Sequence, residues 1–171
     1  MLFNFNNLSV FFAAVKFSEK TIEKLLTFCY DNNVPNTLDP DDFHSSLICS
    51  KKMIFNFQPN ENLNIVCMPF EFDIFISKPS TFKPQKTRSL VLKFCCDYMI
   101  DRFEVLIENG GQHDQEQYQP HITLSYDVGE EFNIEQLPPV SNIGELKIIK
   151  EYLHHQYKKE CEICKNADMC F

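Results

Sequence analysis

The sequence predicts an α+β protein of two strand-rich lobes, each an antiparallel-type sheet with a helix packed outside it, with their inner faces opposed across a central cleft. Two observations carry this reading. Segments with apolar residues at helical spacing alternate with short apolar or period-two segments bounded by Pro, Gly and Asn. The order helix, Pro-bearing loop, histidine-led strand also occurs twice, ending once at "DPDDFHSS" and once at "YQPHIT", a repeat in pattern that marks two lobes. With 171 residues, 44% of them apolar and 17 of them Phe, the chain can bury one substantial core. Residues 1–153 therefore read as a single bilobal domain and 154–171 as a polar tail bearing Cys and His.

Each element follows from local pattern. "LSVFFAAVKF" is an apolar strand, and Ser18 caps a helix whose Ile22, Leu25, Leu26 and Cys29 recur at helical spacing. A loop, "NNVPNTLDPDDF", leads to His44 and the short strand "HSSLICS"; "MIFNF" is read as a further strand before the polar turn "QPNENLN". "IVCMPFEFDIFI" is a long strand or strand pair, "SKPSTFKPQKTR" a loop, and "SLVLKF" a strand. The second helix carries Met99, Phe103, Leu106 and Ile107 on one face and ends at Gly110 and Gly111, read as supplying positive φ. "QHDQEQYQP" leads into the strand "HITLSYDV", "LPPV" interrupts regular structure, and "ELKIIKEYL" is the last strand.

A formal charge of −8 and a pI near 5.1 exclude a coat for long nucleic acid or a membrane-surface binder, both of which need a broad basic face. The N-terminus lacks the order of a signal peptide, and no apolar run reaches about 18 residues, so a soluble intracellular protein is expected. Cys29, Cys49, Cys67, Cys95 and Cys96 fall inside apolar patterns and read as buried free thiols of a reducing cytosol. Cys161, Cys164 and Cys170, with His154 and His155 upstream, are read as a tail rather than a zinc site, because a second clean ligand pair is missing.

The two histidine-led strands carry the chemistry. Alternation puts His44 with Ser46 on one face and Ser45, Leu47 and Cys49 on the other; it likewise puts His121, Thr123 and Ser125 opposite Ile122, Leu124 and Tyr126. Imidazole and hydroxyl groups on one sheet face cost desolvation unless they bind something polar, and a phosphate suits them. Two imidazoles flanking one phosphodiester can serve as base and acid near neutral pH, and each hydroxyl can donate to a non-bridging oxygen. No metal or other cofactor is required. A single H-x-S or H-x-T is ordinary; the pair, separated by 77 residues (121 less 44), is what points to a joint site. His113 reads as a solvated loop residue.

At these residues the chain resembles the 2H phosphoesterase superfamily, named for two H-x-T/S motifs in a bilobal α+β fold. Within it, "FFAAVKFS", "DDFHSSLICSKK", "YQPHITLSYDVG" and "ELKIIKEY" resemble in order and spacing the phage anti-CBASS nucleases, over residues 8–153. The resemblance implies metal-independent cleavage of 3′–5′ bonds in cyclic di- and trinucleotides such as 3′,3′-cGAMP, with the ribose 2′-hydroxyl attacking. A monomer in the cytoplasm of an infected host is the accompanying expectation. It implies that His44 and His121 are catalytic, with Ser46 and Thr123 as hydroxyl donors. Phe12 stands where relatives carry Tyr. Phe75, Tyr152 or Tyr157 would replace a tryptophan stack, and Glu151 would accept from a base edge. Alternative readings are a 2H enzyme acting on 2′,5′-oligoadenylate or RNA 2′,3′-cyclic phosphate, and a sponge that sequesters nucleotide without cutting it. The acidic charge weighs against long RNA, and the paired histidines weigh against a sponge.

Overall fold

A computed structural model describes residues 9–77, 85–113 and 117–157, with side chains described from 11 to 153 within those spans. The tail cysteines and the side chains of His154, His155 and Tyr157 fall outside the described residues. In chain order the elements are β1 (Ser9–Phe17), α1 (Glu19–Asp31), β2 (Ser45–Ser50), β3 (Ile65–Ile76), β4 (Arg88–Cys95), α2 (Asp97–Glu108), β5 (His121–Ser125) and β6 (Leu146–Tyr157). All strand pairs are antiparallel, and one six-stranded sheet runs β2-β1-β6-β3-β4-β5.

Where the sequence reading has two facing sheets, the structure has one. The reason is strand length: β3 and β6 are each 12 residues long, and Ile65, Val66 and Cys67 pair with Ile148, Lys147 and Leu146 to join the halves. β3 is a single strand, not a pair, and it accommodates Pro69 at a register shift between Pro69 and Glu71. β6 continues to Tyr157, opposite Ser9, so regular structure extends into the segment read as a tail.

The core is one contiguous cluster on one face of the sheet. Phe11, Ala13, Val15 and Phe17 of β1, Leu90, Leu92 and Phe94 of β4, and Ile122 and Leu124 of β5 meet Leu25, Phe28 and Cys29 of α1 and Met99 and Leu106 of α2. Helix α1 starts where expected: the Ser18 hydroxyl accepts from the Thr21 amide at 3.3 Å, satisfying one free donor of the first turn. On α2, Met99 and Leu106 are buried, but Ile107 is 37% exposed and does not share their stripe. Gly110 has φ +94°, as a helix exit requires. Gly111 does not; there a Cβ would lie 2.7 Å from Ile48 Cδ1, so close packing is what demands glycine. Residues 53–57 form no strand, because Asn56 at φ 65° turns the chain, and Ile54 and Phe57 tuck into the core instead.

The strand order exposes a repeat deeper than the sequence pattern. The chain runs twice through strand, helix, histidine-led strand, long strand: β1-α1-β2-β3 and β4-α2-β5-β6. Each long strand then crosses over, β3 pairing with β4 of the second unit and β6 with β1 of the first. A constant offset of 77 residues superposes His44 on His121, Ser46 on Thr123 and Lys16 on Lys93 (121 less 44, 123 less 46, 93 less 16).

Candidate active site

Matching bulges aim the two histidine strands. On β2, Ser45 and Ser46 pair with Val15 and Ala14, but the next pair is Ile48 with Ala13, leaving Leu47 extra. On β5, Thr123 pairs with Val91 and Ser125 with Leu90, leaving Leu124 extra. One inserted residue sends both Leu47 and Ile48 into the core and resets the alternation. Cys49 consequently lies opposite Phe12 rather than on the face of Ser45, and Ser125, paired with core Leu90, leaves the face of Thr123. The face away from the core keeps His44, Ser46, His121 and Thr123 above a buried floor of Phe12, Ala14 and Val91, none of which joins the core cluster.

The loops that lead into the histidines bring the two sheet edges together. The loop of the first unit lies along β5: the Leu38 amide donates to the Leu124 carbonyl, Thr37 bridges to Ser125, and Asn36 donates to the Asp127 carbonyl. That of the second lies along β2, where the Gln112 amide donates to Ser50 Oγ and the Tyr118 hydroxyl to the Ser46 carbonyl at 2.8 Å. Each edge strand thus has part of its outer side engaged, which blunts the unpaired row an edge strand presents. Tyr118 stacks on Phe103 with centroids 4.3 Å apart, and His113 packs edge-on against the same ring at 4.9 Å. His113 is therefore half-buried among aromatics and not the solvated loop residue expected.

Each imidazole is held in the same way. His44 Nδ1 lies 2.6 Å from the Asp42 carbonyl, and His121 Nδ1 lies 2.8 Å from that of Gln119, in both cases two residues back. A carbonyl only accepts, so Nδ1 carries the proton and Nε2 is the free nitrogen in the neutral ring. Burial lowers the His44 pKa; its carbonyl bond opposes this, while the charges of Lys16 and His121 lower it further. His121 is likewise lowered by burial, against its bond to Gln119, with Lys93 adding to the depression. That each histidine lies in the field of a lysine follows from register: Lys93 pairs with His121, and Lys16 is one residue on from Val15, the partner of Ser45.

The flanking rings also repeat. Phe12 meets His44 edge-on at 5.7 Å, and Phe75 meets His121 edge-on at 5.2 Å. Phe12 is only 3% exposed, so it props the imidazole from below; Phe75 and Tyr152 remain partly open. Lys16 Nζ stands 5.4 Å from the Tyr152 ring centre, and Lys93 Nζ stands 6.0 Å from that of Phe75. Among the described residues neither the Ser46 nor the Thr123 hydroxyl makes a hydrogen bond, which leaves both free to donate to a ligand. One face thus presents two Nε2 atoms, two hydroxyls and two lysines.

Glu151, expected to accept from a base edge, lies elsewhere. Glu151 pairs with Val15 on the core face, and its carboxylate is occupied by Arg102 at 2.7 and 2.9 Å, by the Tyr98 hydroxyl at 2.7 Å and by the Asn60 amide at 2.8 Å. It does not reach the histidine face. Arg88 gives its guanidinium to the carbonyls of Gly129, Glu130 and Phe132, so it holds a loop. Lys51 is exposed beyond the end of β2. Sequence reading passed over Tyr118 and Lys93; the 77-residue offset from Lys16 would have found the latter.

Comparison with known proteins gives a consistent result. The family model described as anti-CBASS protein Acb1 matches residues 9–160. The chain is 27% identical over 143 residues to the anti-CBASS protein Acb1 of Vibrio phage KVP40, covering 83% of this chain and 84% of that protein. It is 28% identical over 152 residues to that of Enterobacteria phage T4, covering 89% and 88%. With that of Salmonella phage S16 it shares 31% over 119 residues, covering 69% and 72%. Among solved structures, E. coli LigT complexed with phosphate superposes with a TM-score of 0.58 at 13% identity, covering 90% of this chain and 91% of LigT. A structure described as a phosphoesterase gives 0.56 at 14% identity, covering 89% and 91%. At such identities these last two show likeness of fold.

Proposed function

The chain belongs to the anti-CBASS protein Acb1 family, and from that premise we propose that it is a phosphodiesterase that degrades cyclic oligonucleotide signals of host defence, of which 3′,3′-cGAMP is a candidate. The observation that carries this reading is the duplicated histidine: two Nε2 atoms on one face, each fixed by an Nδ1 bond to a carbonyl two residues back, each with a free hydroxyl two residues on. In the proposed reaction one imidazole takes the proton of a ribose 2′-hydroxyl as its oxygen bonds to phosphorus. The P–O5′ bond breaks, and the other imidazole gives its Nε2 proton to the departing O5′. A 2′,3′-cyclic phosphate and a 5′-hydroxyl result. Ser46 and Thr123 donate to the non-bridging oxygens as charge gathers there. No step calls on a metal, and since one chain supplies both histidines, a monomer in the host cytoplasm suffices.

The test incubates the parent, His44→Ala and His121→Ala with cyclic di- and trinucleotides in EDTA, beside a substrate with 2′-deoxyribose at the scissile linkage. The parent is expected to cut only the ribose form, and each variant to lose at least about a hundredfold in kcat, the scale of a positioned acid or base. Equal rates on ribose and deoxyribose would refute 2′-hydroxyl attack, and loss of activity in EDTA would refute the metal-free scheme.

A further inference from the structure

The two halves of the groove match in position but not in charge. Opposite Lys16, the cross-strand partner on β6 is Lys150; opposite Lys93, the partner on β3 is Glu71. The same place in the repeat therefore holds a cation in one half and an anion in the other. Lys93 is fully engaged: its ammonium lies 2.5 Å from Asp73 Oδ2 and 3.2 Å from Glu71 Oε2, so its charge is more than cancelled locally. Lys16 differs. Its ammonium donates to the backbone carbonyl of Asp41 and rests over the Tyr152 ring, and among the described residues no carboxylate stands within ion-pair distance of it. Burial is the largest influence on its pKa and lowers it; the carboxylates of Asp42 and Asp41 act on it only through their field and raise it, and Lys150 opposes them.

A chain with a formal charge of −8 that takes a cyclic nucleotide carrying a negative phosphate at each linkage needs local positive potential. Lys16 meets this need. It is half-buried, where a charge is less screened than at the surface, and it stands beside His44 on the same face. We propose that Lys16, supported by Lys150, is the substrate-positioning cation of the groove, and that its counterpart Lys93 is withdrawn from substrate by Asp73 and Glu71. The groove is then polarised, and the repeat's approximate symmetry is broken in favour of phosphate on the His44 side. This inference rests on the phosphodiesterase reading and concerns the same site.

The test measures kcat and KM for 3′,3′-cGAMP at two ionic strengths, with parent, Lys16→Met, Lys16→Arg and a triple variant, Lys93→Met with Glu71→Gln and Asp73→Asn, which removes that cluster's charges together. Melting curves check that each variant is folded. Lys16→Met should raise KM about tenfold or more with kcat within about threefold, as loss of uniform binding does. Its KM should also rise less steeply with salt than the parent's. Lys16→Arg should recover most of the affinity, and the triple variant should raise KM clearly less than Lys16→Met does. An unchanged KM for Lys16→Met, or an equal rise in the triple variant, would overturn the proposal. A parent that leaves 3′,3′-cGAMP and the other cyclic oligonucleotides intact would instead overturn the phosphodiesterase reading.

Discussion

Replacing Arg102 by Met should destabilise the fold without touching the groove. The Glu151 carboxylate is fully buried, and Arg102 on α2 supplies two of its four hydrogen bonds, the others coming from Tyr98 and the Asn60 amide. Removing one partner of such a pair strands a charge in the interior, at a cost of about 3 to 5 kcal/mol for a fully buried pair. Arg102 is 25% exposed, so water partly compensates and about 2 to 3 kcal/mol is expected. For a chain of this size that corresponds to a fall in Tm of roughly 5 to 10 °C. Glu151→Gln should cost a similar amount, since an amide nitrogen cannot accept from the Asn60 amide or from Arg102. The assay is thermal melting by circular dichroism, paired with KM measured well below Tm. Both variants should melt early with KM within about threefold of the parent. A Glu151→Gln protein that melts with the parent yet loses affinity would refute this reasoning and return Glu151 to the substrate.

The same carboxylate sets an acid limb of stability. Burial pushes its pKa up, but Arg102, Tyr98 and the Asn60 amide together outweigh that and hold it below its ordinary value. A depressed carboxylate adds stability above its unfolded pKa and loses it as pH falls through the folded one; the loss between about pH 4.3 and lower values should therefore be shallower in Glu151→Gln, as acid titration of the melting curve would show. For kcat/KM against pH, a bell is expected whose centre lies below the ordinary histidine value of 6.5, because burial and a neighbouring lysine lower both imidazoles in the free protein. A centre above 7 would contradict those environments. Ser46→Ala and Thr123→Ala should each lower kcat by about ten- to a hundredfold, less than the histidine changes, since a donor is lost but proton transfer remains. Parent-like kcat in either would make that hydroxyl structural.

Local signals placed most elements. Ser18 capped its helix, the β3 segment ran over the residues its apolar pattern marked, and His121 opened its strand while His44 stood one residue before its own. What failed to show in sequence depends on contacts between distant residues. The bulges at Leu47 and Leu124 leave no local signature, so strict alternation misplaced Cys49 and Ser125. The single sheet arises because β3 and β6 overlap at Ile65–Cys67 and Leu146–Ile148, a pairing no period-two pattern announces. Glu151 was given its base-edge role by resemblance alone; its pairing with Val15 and its meeting with Arg102, which set it on the core face, join residues far apart in sequence.

The crossed strands explain why the site can be asymmetric at all. In a chain folded as two separate lobes, each histidine would be surrounded by its own repeat. Here β6 of the second unit lies beside β1 of the first, and β3 of the first beside β4 of the second, so Tyr152 serves the His44 half and Phe75 the His121 half. Every site residue outside the histidine strands and their neighbours is thus borrowed from the other unit. A substitution on β3 changes one half of the groove and leaves the other as it was, although both halves descend from the same pattern. Glu71 and Asp73 lie on β3, and Lys150 at the matching place lies on β6. The strand exchange that joins the two units into one sheet is also what lets the charge around one histidine differ from that around the other.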